Sequence, residues 1–589
     1  MRGRRVVAMV AALVVVALCL LSQGAPRAYA GPAGPAASGP VRGGWLAARS
    51  TGQADFGPVS CAPGAAGLCT TAGANLSGDG IPAIVATAKA GVLGAAKGIP
   101  GTAALSAGSD GDLVTADALS CPTEGYCLVA GSYFDKSNFS QVYVAEEAKG
   151  TWRKAVQVPG LAKLNTGGDA SALSASCASP GNCAITGTYT PGKPGSLADL
   201  SQAFVASEVG GVWRAATAVP GIAKLNTGDS AVGSVISCPA PGYCALGGNY
   251  EATSGGYELP FIDSEVNGVW GAAGPVPGRP GTGGNYGITA ISCPRTGDCV
   301  AAGNDDNGSY TITQRGNEWS KAAATSGLGS VAALSCPAAG ECVAGGATSS
   351  GYGGFAATAA ERGGTWGKAV LVPGAKAFSY KGRHATSSEI NDLACPAVGY
   401  CVAGGDFFVS VNDTTAYSRG LVASETAGAW GAAQIPPGLA GLDRGVFSEV
   451  DYVACATIAT CVAGGSYDAD SYPGGQFFSA ELPSQPTRTA LRLSLAHVTP
   501  GKEQAARVSV SVTARGSTPG AVAVGKVTVR AGSLTVCVIK LTAATGKAAG
   551  GCTLTPRELK PGTYQIVATY PGSSPFQSSA SAASVLTVA

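Results

Sequence analysis

In a chain of 589 residues with only two histidines, chemistry has to come from cysteines, acids or aromatic rings. The cysteines are the most ordered of these. Sixteen of the 19 stand in eight close pairs: Cys61/Cys69, Cys121/Cys127, Cys177/Cys183, Cys238/Cys244, Cys293/Cys299, Cys336/Cys342, Cys395/Cys401 and Cys455/Cys461. Such pairs suit a metal or a crosslink. A zinc site wants C-x2-C spacing with further ligands nearby, whereas five residues separate the cysteines in seven pairs and seven in the first, and His384 and His497 belong to no pair. The pairs therefore read as disulfides between antiparallel strands joined by a short turn, each contributing about 2 kcal/mol by restricting the unfolded chain. Cys537 and Cys552 read as a ninth bridge, and Cys19 is left in the leader.

Other residues recur at fixed offsets from the pairs. Six positions after the second cysteine stand Tyr133, Tyr189, Tyr250, Phe407 and Tyr467, a set able to stack on sugars if the rings reach the surface. Four positions before the first cysteine lie Asp117, Asn391 and Asp451, which suit a polar or cation-holding lining of a central channel. Asp305-Asp306-Asn307 and Asp468-Ala469-Asp470 complete no calcium-loop pattern, so no cofactor is expected, with calcium the one cation kept in view. Arg383-His384 is an isolated pair. No G-x-S-x-G elbow, phosphate loop or sialidase-like Asp-box is present.

The elements that carry these residues follow from the repeat. Successive first cysteines are 60, 56, 61, 55, 43, 59 and 60 residues apart, a period in which each unit buries its apolar face only against its neighbours. Each unit holds four short β-type stretches punctuated by Gly and Pro, and no amphipathic helical pattern of useful length appears. Trp45, Trp152, Trp213, Trp270, Trp319, Trp366 and Trp430 share one place in the fourth stretch, with Leu93 in the remaining unit. Five residues earlier stand Glu147, Glu208, Glu265, Glu361 and Glu425, or Gln314. These recurring residues are expected to be scaffold. Trp45 precedes the first cysteine pair, so the chain opens on a fourth strand that completes the last blade. The expectation is an all-β protein, an eight-bladed β-propeller followed by a β-sandwich. Variable connections, among them Thr190 to Gln202, Phe378 to Asn391, Asp406 to Arg419 and Asp468 to Gly475, share the face away from the staples, where a ligand is expected.

Residues 1–30 read as a signal peptide: Arg2, Arg4 and Arg5, an apolar run from Val6 to Leu21, and Ala28-Tyr29-Ala30 for cleavage. Residues 31–42 are a disordered Gly/Pro/Ala-rich segment, 43–482 the propeller, 483–488 a linker and 489–589 the second domain. The stapled S-C-x-x-x-x-x-C motifs over residues 43 to 482 resemble a group of secreted bacterial propeller proteins, which implies a fold and an extracellular address without a defined activity. The stretch Lys560-Pro561-Gly562-Thr563-Tyr564, with Tyr570-Pro571-Gly572 and Leu586-Thr587-Val588, resembles bacterial Ig-like domains of the group 3 type, which implies a spacer or adhesive module.

Charge divides the two parts. Thr487 to Ala589 carries 11 Lys/Arg against Glu503 and Glu558, whereas residues 31–486 carry 23 against 34 acids. A basic module outside the cell suits anionic polymers or its own acidic propeller. Nothing in it suggests nucleic-acid reading. No membrane span is expected once the leader is removed, and any attachment to the cell wall would be non-covalent. The expected function is non-catalytic binding or adhesion to a cell-surface or environmental polymer, most simply a glycan, through the loop face. Alternatives are an extracellular polysaccharide hydrolase or lyase using two of the carboxylates, and a scaffold for other secreted proteins.

Overall fold

The computed structural model describes residues 45, 47–51, 54–63, 68–75, 82–89, 92–109, 114–192, 201–279, 287–348, 353–380, 382–412, 415–458, 460–469, 476–482, 487–514, 523, 525–544, 547–571, 576 and 579–589. The leader, the segment 31–42 and linker residues 483–486 lie outside them.

A single unit shows how the sequence builds a blade. In blade 3, Ala170–Ser179, Asn182–Tyr189 and Gln202–Val209 pair antiparallel in chain order. The fourth strand is broken into Val212–Trp213 and Thr217–Ala218, both paired with the third. The turn between the first two strands needs a left-handed residue, and Gly125, Gly181, Gly242, Gly297, Gly340 and Gly399 supply it with φ between 67° and 74°. Seven further glycines, Gly131, Gly187, Gly248, Gly303, Gly346, Gly405 and Gly465, lie four positions after the second cysteine. A Cβ on any of them would overlap a carbonyl of the first strand or of the residues leading into it. That close approach explains the small residues after each second cysteine.

In blade 3 the first strand also carries a bulge, with the register shifting between Ala172 and Ser174. The same shift occurs between Ile390 and Asp392 in blade 7. The extra residue falls four positions before the first cysteine, at Leu173 and Asn391, which is the offset shared by Asp117 and Asp451.

At the other end of the strand the two cysteines face each other, as in Cys177↔Cys183. The bridges are Cys61–Cys69, Cys121–Cys127, Cys177–Cys183, Cys238–Cys244, Cys293–Cys299, Cys336–Cys342, Cys395–Cys401 and Cys455–Cys461, with Cα atoms 3.9–4.1 Å apart. The row continues outward: Cys244 opposes Glu265, and Glu265 opposes Trp270.

First strands of neighbouring blades touch in an unbroken cycle of eight, the last meeting the first. Two hydrogen-bond belts tie the ring. In the inner belt, Ser60, Ser120, Ser176, Ser237, Ser292 and Ser335 each accept the backbone N–H of the next blade's first cysteine, at 2.9–3.1 Å. Ala394 replaces the serine in blade 7, where Asp392 accepts from Val453 N–H at 2.7 Å instead. In the outer belt, Ala155, Ala216, Ala273, Ala322, Ala369 and Ala433 donate to a carbonyl of the preceding blade at 2.7–2.8 Å. Tryptophans fill the gaps between: Trp213 Nε1 donates to Glu146, Trp270 to Ser207 and Trp319 to Ser264, each across a blade boundary. Glu208, Glu265, Glu361 and Glu425 are buried there, and burial pushes each carboxyl up, Glu208 to about 7.

The N-terminal segment closes the circle. Arg49 and Ser50 pair with Ser479 and Phe478 on the third strand of blade 8. Ala48 N–H donates to Pro437 O at 2.6 Å, which continues the outer belt. Trp45 is wholly buried among Val402, Val422, Leu439 and Val450, between blades 7 and 8. The array is an eight-bladed β-propeller. Four single-turn helices, Thr102–Leu105, Leu161–Leu164, Ile222–Leu225 and Leu439–Leu442, follow the outer belt and each buries its first residue. One turn is too short to show a 3.6-residue period, so the sequence pattern does not announce them.

From Thr487–Leu493 onward, nine strands join in one sheet that encloses a single hydrophobic cluster. Leu534–Ala544 pairs with Gly525–Ala531 on one side and with Lys547–Thr553 on the other, so it belongs to both halves of the sheet. Cys537 and Cys552 are bridged. Among the described residues no helix is long and apolar enough to cross a membrane.

Candidate functional site

Departures from the repeat concentrate at blade 7 and its junction with blade 8. The second and third strands of blade 7, Tyr400–Asn412 and Thr415–Thr426, have 13 and 12 residues, against seven to nine elsewhere in the propeller. They rise beyond the neighbouring blades on the face opposite the staples. Beside them, Ser379–Tyr380 and Arg383–His384 form a small hairpin. Phe378 stacks on Phe407 at 4.3 Å with the rings 4° from parallel, and Tyr380 and Tyr417 meet at 5.1 Å.

Arg419 lies beneath these tyrosines. Its guanidinium sits 4.1 Å from the Tyr380 ring centre and 5.2 Å from that of Tyr417, a cation–π arrangement. It donates to the carbonyls of Ser418 and Gly445 at 2.7 and 2.9 Å, and pairs with Asp443 at 3.0 Å with both side chains buried. Burial pushes the Asp443 carboxyl up and the Arg419 charge works against that shift. The repeat explains the location. Asp443 ends the helix Leu439–Leu442 where Asn165 and Asn226 end two others. Arg419 opposes Phe407 where Gln141 opposes Tyr133 and Gln202 opposes Tyr189. An amide pair in blade 2, Asn165 to Gln141 at 3.5 Å, has become an ion pair in blade 7.

Where blade 7 meets the start of blade 8, four carboxylic acids gather. Asp406 is buried and accepts Ser418 Oγ–H at 2.6 Å and Asn391 Nδ2–H at 3.4 Å. Asn391 also donates to Val450 O in blade 8, at 3.3 Å. Burial raises Asp406 to about 7, helped by the charges of Glu389 and Glu449. Burial raises Asp451 to about 8, helped by the charge of Glu449 and a hydrogen bond to it. Glu449 is raised by burial too, while accepting Ser466 Oγ–H at 3.2 Å. Glu389 is the exposed member. Burial and mutual repulsion favour the protonated forms of these carboxyls, which adds O–H donors to a group otherwise limited to acceptors. Among the described residues, no three or more His, Cys, Asp or Glu are arranged to hold a metal ion.

The residues singled out by spacing fare differently. Tyr133, Tyr189, Tyr250, Phe407 and Tyr467 are only 0–6% exposed. The four tyrosines pack between blades and Phe407 packs within blade 7 against Phe378, so no ring face is left for a sugar, which corrects the expectation of a stacking surface. Asn391 and Asp451 do converge, through Asp406. Asp117 does not join them: it accepts Ser132 Oγ–H at 2.7 Å, and burial raises its carboxyl.

The paired cysteines belong to the scaffold and to no ligand surface. Cys69, Cys127, Cys342, Cys401 and Cys461, each the second of its pair, are 0–3% exposed. Cys127 and Cys401 pack into apolar clusters that span neighbouring blades, as Cys461 does between blades 7 and 8. Cys69 lies against Ala456 and Val462 of blade 8, and Cys342 against Val300 of the blade before it. Their sulfurs are spent on the bridges and shielded from solvent, so they hold the hairpins and offer a ligand no contact.

Asp305 pairs with Arg279 and Asp470 lies outside the described residues. His384 is exposed in the small hairpin. Spacing alone missed Asp406, Glu389, Glu449, Arg419 and Asp443. Aligning the repeat units on Gln141 and Asn165 marks the last two.

No family model matches the chain, and no curated protein does. Among solved structures it is similar to Sqt1 of Chaetomium thermophilum bound to the N-terminus of the ribosomal protein L10, at 12% identity over 74% of this chain and 99% of that one, with a TM-score of 0.43. It is also similar to a Hadza microbial sialidase, at 10% identity over 60% and 73% of the two chains, TM-score 0.32. A third is the subtype N11 neuraminidase-like protein of a flat-faced bat influenza A virus from Peru, at 11% identity over 54% and 88%, TM-score 0.30.

Proposed function

We propose that this chain is a secreted, non-catalytic binding protein that recognises a hydroxylated polymer, a glycan of a cell surface or of the surroundings, at the junction of blades 7 and 8. The C-terminal region serves as an Ig-like spacer or basic anchor. The observation carrying this reading is the coincidence, at blade 7, of the longest hairpin of the propeller with a group of four carboxyls that ends at exposed Glu389. Sugar hydroxyls both donate and accept, and such a group answers both. Nine disulfides fit an oxidising compartment.

A glycan array probed with the intact protein tests it. The expectation is binding without product, weakened at least about 10-fold in Glu389→Gln, the loss expected for one charge-assisted hydrogen bond. A second reading, hydrolysis of a polysaccharide, draws on the same carboxyls, because a protonated Asp451 beside Glu449 has the form of a general acid. Product release that disappears in Asp451→Asn would replace the first reading by the second.

A further inference from the structure

The C-terminal sheet has one face on which every charged side chain is a cation. In the half formed by Thr487–Leu493, Arg507–Ala514, Lys547–Thr553 and the end of Leu534–Ala544, side chains alternate between the core and the outside. Val508, Val510, Val512, Ala548, Ile539 and Leu541 point inward and are buried. The outward set includes Arg488, Arg492, Arg507, Lys540 and Lys547, all exposed. Register places them on one surface: Arg488 opposes Thr513, Arg492 opposes Ser509, and Arg507 opposes Thr553. Between the charges lie only short side chains, such as the row Ala490–Ser511–Ala549–Thr542.

The four strands contain no Asp or Glu. Among the described residues none of the five cations forms an ion pair. The region's two acids are engaged elsewhere. Buried Glu503 accepts from the N–H groups of Gly501 and Arg557 at 2.8 and 2.9 Å, and Glu558 accepts from Thr555 N–H at 3.2 Å. Register puts Arg492 about 8 Å from Arg507 and Arg488 about 10 Å from Lys547, taking about 3.4 Å per residue along a strand and about 5 Å between strands. The result is a flat field of positive charge with hydroxyls between and nothing bulky to stand off a ligand.

We propose that this sheet face binds a chain of phosphodiesters, specifically a polyol-phosphate polymer, through Arg488, Arg492, Arg507, Lys540 and Lys547. Three of the five are arginines, whose forked donors match phosphate oxygens, with Ser509, Ser511 and Thr513 available as further donors. The outward residues include no aromatic ring, so the face has nothing on which a nucleic-acid base could stack. This rests on reading the C-terminal region as an anchor and is independent of the propeller ligand.

The test uses the intact protein and measures affinity for poly(glycerol phosphate) in a salt series, against polygalacturonate and single-stranded DNA of equal charge. If about five phosphates are neutralised, affinity should fall about 100-fold between 50 and 200 mM salt. The triple variant Arg488→Ser/Arg492→Ser/Arg507→Ser should weaken binding at least about 10-fold and flatten the salt slope by about two. Lys502→Ser/Arg530→Ser/Lys560→Ser removes the same charge from the rest of the region and should change it less than about 3-fold, as should Glu389→Gln in the propeller. Equal losses in the two triples, salt-independent binding, or binding to DNA or polygalacturonate as tight as to the polyol phosphate would each overturn the proposal.

Discussion

Arg419 and Asp443 hold an ion pair of 3.0 Å in the positions that Gln141 and Asn165 fill with amides. The repeat thus contains both a charged and a neutral solution to one packing problem. Breaking the charged one from a single side strands a buried ion. Asp443→Ala should cost about 3–5 kcal/mol. The double variant Arg419→Gln/Asp443→Asn copies the amide pair and should recover most of that loss. Urea unfolding of the two proteins gives the comparison, and equal destabilisation would show that the pair is not the determinant.

Trp45 is wholly enclosed between blades 7 and 8, although it lies far from both in sequence. Trp45→Ala should destabilise the propeller by about 3–5 kcal/mol, as for other buried tryptophans. Denaturant unfolding followed by the remaining tryptophans reads this. A change below about 1 kcal/mol would mean that the last blade holds without its N-terminal strand.

Stability should fall as pH rises. Burial raises Asp406, Glu208 and Asp263 to about 7 and Asp451 to about 8. A carboxyl whose folded value lies above its unfolded one binds more protons when folded. Its contribution is therefore full below about pH 4 and is lost as pH climbs through the folded value. The Tm should be lower at pH 8.5 than at pH 5.5, and Asp406→Asn/Asp451→Asn should narrow the difference. An unchanged pH profile in that variant would place the dependence elsewhere.

Two glycines should respond in opposite directions. At Gly405 a Cβ meets the Glu389 carbonyl, so Gly405→Ala should cost at least about 1–3 kcal/mol in strain. Gly441 lies inside the helix Leu439–Leu442 with open space around it, and Gly441→Ala should stabilise by about 0.4–1 kcal/mol. Thermal melts of the two variants settle both signs.

Cysteine spacing, tryptophan register and turn glycines were enough to read eight blades and the shared last sheet, because each rests on backbone geometry that repeats. Side-chain direction was harder. Tyr133 and its counterparts share an offset whatever face they occupy, and only the packing of neighbouring blades shows that the offset points inward. Asp117 and Asp451 share the bulge position, yet Ser132 holds the first and Glu449 the second, a difference set by which neighbour each unit places beside the bulge. Arg419 and Asp443 were hidden for another reason. Each is ordinary alone, and the meaning lies in what replaces it in the other units.

The pairing of Arg49 with Ser479 also bears on assembly. The segment that completes the ring is made first and has no partner until residues more than 400 positions later exist. Adjacent blades can dock as they emerge, but this contact must close a loop spanning the whole array, the slowest kind to form. Until then the third strand of blade 8 has an open edge and blade 7 an uncovered flank, both prone to pairing with another chain. A second molecule's N-terminal segment would fit that edge equally well. High concentration during refolding should therefore yield strand-exchanged dimers, and dilution should favour closed monomers.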